Sequence, residues 1–223
     1  MNVFITGTAT DCGKTWVTAG LLRAAGARGL TSLGMKPVAS GATEIDGHWI
    51  NDDVMQLRSA SNVTVPASDD NPYLFELPAS PHIAALGSER RVDLEVIADA
   101  YTRCATAAEV VIVEGVGGWL VPLNEHHNVA DLAFKLQLPV VLVVGLRLGC
   151  INHALLSAAA IEASGMRCCG WIANGLDSEL LAREAVIETL VQQLKAPLLA
   201  VTSRGDDSAL AAALDALLSS NQG

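Results

Sequence analysis

The sequence is poor in aromatic residues and has no basic surplus, no paired-cysteine spacing and no long apolar run. Each absence closes off a class of function. Aromatic residues make up 4% of the chain against 51% hydrophobic residues, so the core is predicted from Ala, Val, Leu and Ile. That composition suits parallel strands covered by helices on both faces. The net charge is −10 and no Lys/Arg cluster offsets it. Binding along a phosphate backbone needs the opposite balance, so nucleic acid is excluded as a partner. The five cysteines (Cys12, Cys104, Cys150, Cys168, Cys169) are odd in number and lack CxxC spacing. They read as free thiols of a reducing cytoplasm rather than a disulfide framework. The longest apolar run, Leu138 to Leu146, is about half of the roughly 20 residues a membrane span needs. The chain enters a strand at once, without a basic leader and cleavage site. A soluble, cytoplasmic protein without a membrane partner is expected. The 223 residues suit one domain over 1–223, with no repeat or boundary inside it.

Strand and helix patterns alternate along the chain. Strands are predicted at Val3–Thr6, Ser32–Lys36, Val110–Val113, Pro139–Val144, Cys169–Ala173 and Leu198–Val201. Helices are predicted from Lys14 to about Arg28, and over Asp52–Ala60, Leu94–Ala108, Cys150–Ser164, Glu179–Leu194 and Ser208–Leu218. Residues 41–51 read as a turn-rich loop. Residues 61–81, with prolines at 66, 72, 78 and 81, read as mostly loop. The alternation predicts an α/β fold of three layers, a mostly parallel sheet with helices on both faces. In such sheets ligands bind at the carboxyl ends of the strands.

The first strand runs into Gly7-Thr8-Ala9-Thr10-Asp11-Cys12-Gly13-Lys14-Thr15, and the helical pattern from Lys14 follows. This is the layout of a P-loop, whose backbone N–H groups cradle phosphate oxygens. Lys14 would reach the β/γ-phosphates, and the Thr15 hydroxyl would sit on Mg²⁺. The usual spacing puts a glycine at position 8; here Thr8 stands there and Gly7 lies one further back, so the loop is one residue longer than common. The second strand ends in Lys36, followed by Pro37 to Gly41. Lys36 is either a surface lysine with a solvated tip or a cation for a developing anion. Ser40 offers a hydroxyl to a small substrate. Glu114 ends the third buried strand, followed by Gly115-Val116-Gly117-Gly118. It reads as a ligand of Mg²⁺ or its water, or as an ordinary strand-end acid. Asp52 or Asp53 could simply cap a helix, but Thr15, Asp53 and Glu114 would together give Mg²⁺ three oxygens.

Further along, Gly149-Cys150-Ile151-Asn152 open a helix whose amides could hold a carboxylate. Cys150 has no evident activating partner and reads as a packing residue. His153 reads as a hydrogen-bonding or core histidine, and His126-His127 as a solvated loop, because adjacent residues rarely ligate one ion. Asn174-Gly175 follow another strand, as an adenine-reading amide or a plain turn.

Taken together, GTATDCGKT (7–15), KPVASG (36–41), NDD (51–53), NPY (71–73), SPHIA (80–84), VEGVGGW (113–119), LPVVLVVGLRLGCINHALL (138–156) and GWIAN (170–174) resemble the dethiobiotin synthetase family over nearly the whole chain. The resemblance implies ATP- and Mg²⁺-dependent conversion of 7,8-diaminopelargonate and CO₂ to dethiobiotin, ADP and phosphate, through a carbamate and a carbamic–phosphoric anhydride. It implies catalytic roles for Lys14 and Lys36. Nucleotide contacts fall on Asp11, Cys12, Gly13, Lys14, Thr15, Trp16, Asp53, Glu114, Gly115, Val116, Gly117, Asn174 and Gly175. Substrate contacts fall on Thr10, Lys36, Ser40, Gly149, Cys150, Ile151 and Asn152. It also implies a homodimer in which the Gly149–Asn152 loop of one chain holds the substrate carboxylate of the other. The chain departs from the family pattern in three places. Asp11 stands where Glu or Gly is usual. A tyrosine is missing from the helix around Val186 and Ile187, leaving Arg183 or a backbone amide to replace it. The 201–205 loop lacks an Ile-Pro pair, which bears on base selectivity. The alternatives are a partitioning-type P-loop ATPase and another ATP-dependent cyclo-ligase. The first would want a basic or amphipathic surface and commonly a second lysine inside the P-loop.

Overall fold

The computed structural model describes residues 1–220 apart from Glu89, 176–179, Arg204 and Asp207; 221–223 lie outside it as well. In chain order the elements are β1 (Asn2–Gly7), α1 (Lys14–Ala27), β2 (Ser32–Met35), β3 (Val38–Ser40), β4 (Thr43–Ile45), β5 (His48–Ile50), α2 (Asp52–Ala60), α3 (Ala67–Asp70), β6 (Tyr73–Phe75), α4 (Pro81–Ala84) and α5 (Leu94–Ala107). Then follow β7 (Val110–Glu114), α6 (Val129–Leu136), β8 (Val140–Gly145), α7 (Cys150–Ala163), β9 (Cys168–Gly175), α8 (Arg183–Gln193), β10 (Leu198–Ser203) and α9 (Ser208–Ser220).

Six strands form one sheet in the order β10-β9-β8-β1-β7-β2, and every neighbouring pair is parallel. The strand residues are short, β-branched and apolar, and successive side chains enter opposite faces. Val3, Ile5, Val110, Ile112, Val141 and Val143 pack with Leu21 and Leu22 of α1 and Leu210 and Leu214 of α9. Phe4, Val111, Val113, Val140, Leu142 and Val144 pack with Ile97 of α5, Leu132 of α6, Ala154 and Ile161 of α7 and Leu190 of α8. One layer of helices therefore covers each face. β1 lies at the centre, paired to β7 on one side and β8 on the other. Chain order reverses direction there, and a crevice opens beyond its carboxyl end.

Several local expectations are corrected. Residues 41–51 are not simply loop: β4 and β5 pair as an antiparallel hairpin. Its turn is Asp46-Gly47, both at positive φ (52° and 79°), the pair that a two-residue hairpin turn needs. Within 61–81, α3 forms, and β6 pairs in parallel with β3 to make a small second sheet. Helix α6 arises from a capping box in which Asn128 and Asp131 satisfy each other's backbone amides. Thr202 and Ser203 belong to β10 rather than to a loop. Helix α8 begins at Arg183, while the anticipated start at Glu179 lies outside the described residues. All five cysteines are free, and burial pushes the Cys104 thiol up to about 12. No helix among the described residues is long and apolar enough to cross a membrane.

Candidate active site

The loop after β1 reaches α1 through Gly13, which is left-handed at φ 89° and gives the helix no side-chain cap. The first amides of α1 are therefore left for a ligand, and phosphate is the natural one. Asp11 is also left-handed, at φ 58°. Gly7 is required for space rather than for torsion. A Cβ there would lie 2.2 Å from Cys12 Sγ and 3.1 Å from Lys14 Cγ. The longer loop folds back over this glycine, with Cys12 buried beneath it. Lys14 Nζ donates to the carbonyl of Ala9 at 3.1 Å. A strut comes from β9: Asn174 Nδ2 donates to the carbonyl of Cys12 at 3.0 Å, and Asn174 Oδ1 accepts from Thr202 Oγ1 at 2.8 Å.

Beside the loop lies a compact charge cluster. Lys36 Nζ is 2.5 Å from Glu114 Oε1 and 2.9 Å from Asp53 Oδ2. It is also 3.4 Å from the carbonyl of Gly115. Thr15 Oγ1 donates to the same Glu114 Oε1 at 2.8 Å. Lys36 is only 3% exposed and Glu114 is fully buried, which rules out a solvated surface lysine. Burial alone would lower the Lys36 pKa, but the charges of Glu114 and Asp53 outweigh it and hold the ammonium above its ordinary value. Burial would likewise raise Asp53, and the Lys36 charge more than reverses it, leaving the carboxyl below its usual range. Lys36 is anchored through its backbone. Its N–H donates to Asp70 at 2.8 Å, and Asn71 Nδ2 donates to its carbonyl at 2.6 Å. Asp53 does not cap its helix; Asn51 does, accepting from the amides of Asp53 and Val54.

The residues present fit Mg²⁺. Glu114 Oε2 is buried with no hydrogen-bond partner, while Oε1 of the same carboxylate bonds the Thr15 hydroxyl and the Lys36 ammonium that also holds Asp53. Hard oxygens are what this ion takes, usually from one or two carboxylates plus phosphate and water. Among the described residues no group of three or more His, Cys, Asp or Glu forms a metal cage.

A cleft of about 820 Å³ opens over the cluster, lined by Thr10, Asp11, Gly13, Lys14, Thr15, Lys36, Ser40, Asp53, Val116 and Gly117. Ala39, Gln56, Pro78, Ala79, Ser80 and Val121 complete the wall. These six carried no chemical signal of their own in the sequence; only the β3–β6 pairing, itself unforeseen, carries 78–80 to the cleft. Cys12, Glu114 and Gly115 lie beneath it, and Trp16 faces away under the Arg23 guanidinium, 5.8 Å from its ring. Gly149, Cys150, Ile151 and Asn152, at the start of α7, are not part of this chain's own cleft wall. Arg183 is engaged elsewhere. It covers Gly175 and donates to the carbonyl of Thr202 at 3.0 Å, which fixes it on the β9–β10 rim.

A family model described as an AAA domain matches residues 1–212. A curated relative from Aromatoleum aromaticum, ATP-dependent dethiobiotin synthetase BioD, is 48% identical over 212 residues, 94% of either chain. Among solved structures the MinD cell division protein of Aquifex aeolicus superposes with a TM-score of 0.60 at 16% identity, covering 98% of this chain and 97% of that one. The cell division protein ftsY of Thermotoga maritima gives a TM-score of 0.56 at 15% identity, covering 98% and 68%. At such identities the structural likeness speaks for the shared P-loop fold alone. The relative's identity and coverage decide the family: this chain belongs to the ATP-dependent dethiobiotin synthetases.

Proposed function

We propose that this ATP-dependent ligase of biotin biosynthesis carboxylates 7,8-diaminopelargonate with CO₂ and closes the cyclic urea of dethiobiotin, releasing ADP and phosphate. One observation carries the reading. Lys36 sits between Glu114 and Asp53 in the cleft that the P-loop and Ser40 also line, so one crevice has room for both reactants.

The chemistry brings two anions together. One amine of the diamine adds to CO₂ and loses a proton, giving a carbamate. A carbamate oxygen attacks the γ-phosphorus of ATP, and ADP leaves. The second amine then attacks the carbonyl carbon, the C–O bond to phosphate breaks, and phosphate departs as the ring closes. Lys14 neutralises the β/γ-phosphates, and Lys36 neutralises the carbamate and the transferring phosphoryl group. Lys36 acts as a fixed cation and not as a base, because its paired carboxylates keep it protonated. Thr10 and Ser40 hold the diamine end. No protein nucleophile is needed where positioning and charge do the work. Thr15, Asp53 and Glu114 would hold Mg²⁺, which would supply further positive charge to the phosphates.

The substrate carboxylate is assigned to Gly149, Cys150, Ile151 and Asn152 of a second copy, in a cytoplasmic homodimer. Two features support this. The loop lies off the chain's own cleft, and the neighbouring Leu148 is 94% exposed. Asn174 and Gly175 are assigned to the nucleotide. The test is to incubate the enzyme with diaminopelargonate, [¹³C]bicarbonate, ATP and Mg²⁺ and weigh the product. Labelled dethiobiotin is expected; no product, with ATP hydrolysis indifferent to the diamine, would refute the reading.

A further inference from the structure

We infer that Asn51 is a positioning residue that ties the diamine side of the cleft to its metal side; this rests on the function proposed above. Asn51 stands immediately before α2. Its Oδ1 accepts from the amides of Asp53 at 3.1 Å and Val54 at 3.3 Å. That cap fixes where Asp53 leaves the helix, and Asp53 lies 2.9 Å from Lys36. The Nδ2 of the same amide donates to the carbonyl of Ser40 at 3.1 Å. Ser40 and Asp53 both line the cleft. Between them the chain leaves as the β4–β5 hairpin, whose strand residues are largely exposed. One side chain thus closes the base of this excursion and holds a proposed diamine contact against a proposed metal ligand. On the Ser40 side, Ser40 also pairs with Phe75 in the β3–β6 sheet, and Gly41 donates to Leu77 at 3.2 Å and Ala42 to Phe75 at 3.0 Å.

The two functions of the amide can be separated. Serine and aspartate cap helices about as well as asparagine, yet neither carries an amide donor that reaches Ser40. Asn51→Ser and Asn51→Asp therefore keep the cap and lose the tie, with opposite effects on local charge. Both are expected to raise the KM for diaminopelargonate by about fivefold to tenfold, the worth of one hydrogen bond. Both should leave Mg·ADP affinity, measured by calorimetry, within about twofold of wild type, because the cap is intact. Amide hydrogen exchange at Gly41 and Ala42 should quicken in both. Asn51→Ala loses cap and tie together, and should weaken Mg·ADP binding as well as diamine binding.

Wild-type KM and exchange in Asn51→Ser and Asn51→Asp would overturn the inference. So would an equal loss of diamine and Mg·ADP affinity in those two variants, since that is what general loosening produces. A wild-type enzyme that makes no dethiobiotin refutes the proposed function itself, and the inference with it. A competent wild type with an unaltered Asn51→Ser refutes this inference alone.

Discussion

The ammonium of Lys36 lies 2.5 Å from Oε1 of Glu114, a fully buried carboxylate whose other oxygen has no partner. The buried acid is thus compensated on one side only. One oxygen is shared by Lys36 and Thr15, and the other is the one we propose for Mg²⁺. A lysine so placed joins Glu114 to Asp53, and in the proposed reaction it is the fixed positive charge.

Replacing Lys36 with glutamine tests both parts. Turnover should fall by about 10²- to 10³-fold, the usual cost of losing a preorganised charge at a transition state. Mg·ADP should still bind, because the P-loop is untouched. The protein should lose about 3–5 kcal/mol in urea unfolding, since the buried Glu114 is left without its cationic partner. Adding Glu114→Gln should restore part of that stability. Retention of most of the activity in Lys36→Gln would remove the role assigned to this residue.

Gly7→Ala is predicted to distort the P-loop, because the new methyl would meet Cys12 Sγ at 2.2 Å. Overpacking of this kind costs about 1–3 kcal/mol, and most of it should appear as weaker ATP binding. Removing the sulfur with Cys12→Ala should recover a good part of the loss in the double variant, leaving only the 3.1 Å contacts with Lys14. Additive losses in the two single variants would show that the contact is not the cause.

Stability should depend on pH at both ends through the Lys36 cluster. The Lys36 pKa is raised above 10.5, so its contribution is fully present below that value and is lost as pH rises through the folded value. The Asp53 pKa is lowered below 3.8, so its contribution is present above that value and is lost as pH falls through the folded one. Melting temperatures of wild type and Lys36→Gln measured across pH should therefore converge above pH 10.5 and below 3.8. Parallel curves throughout would contradict the assignment.

Asn174→Ala should weaken ATP, GTP and inorganic triphosphate alike. Its amide braces the P-loop through the carbonyl of Cys12 and is itself held by Thr202. Competition binding of the three ligands is the measurement. Loss confined to ATP would instead mark Asn174 as a reader of the base. Comparing wild-type turnover with ATP, GTP and CTP tests the altered 201–205 segment; weaker or different base selectivity is expected, and strict ATP dependence would contradict it.

Much of this was legible in the residues because each signal was local and chemical. Gly13-Lys14-Thr15 between a strand and a helix, Lys36 closing an apolar strand and Glu114 closing another all named strand ends where ligands gather. Their convergence on one cleft followed from strand order, which the βα alternation implies without fixing. The hairpin at 43–50 was obscured by a run of turn formers, although Asp46-Gly47 carries its signature. The β3–β6 pairing was hidden by prolines and by strands of three residues, too short for periodicity to show. Asn51 and Asn71 act through side-chain amide bonds to nearby backbone, Asn51 to the carbonyl of Ser40 and the amides of Asp53 and Val54, Asn71 to the carbonyls of Lys36 and Tyr73. Nothing in their spacing separates them from any other asparagine. Asn174 reads as following a strand that ends at Ala173, whereas it lies buried inside β9, and its hold on Cys12 across the sheet leaves no mark in the local sequence.

The central claim is that a carbamate oxygen attacks the γ-phosphorus within this cleft, and an isotope decides it. With ¹⁸O-labelled bicarbonate, single-turnover conditions and unlabelled water, each dethiobiotin formed should be accompanied by one phosphate carrying one ¹⁸O, with a second ¹⁸O in the urea carbonyl. Phosphate free of label would mean that water, not the carbamate, receives the phosphoryl group, and the account given for Lys36, Lys14 and Ser40 would fail with it.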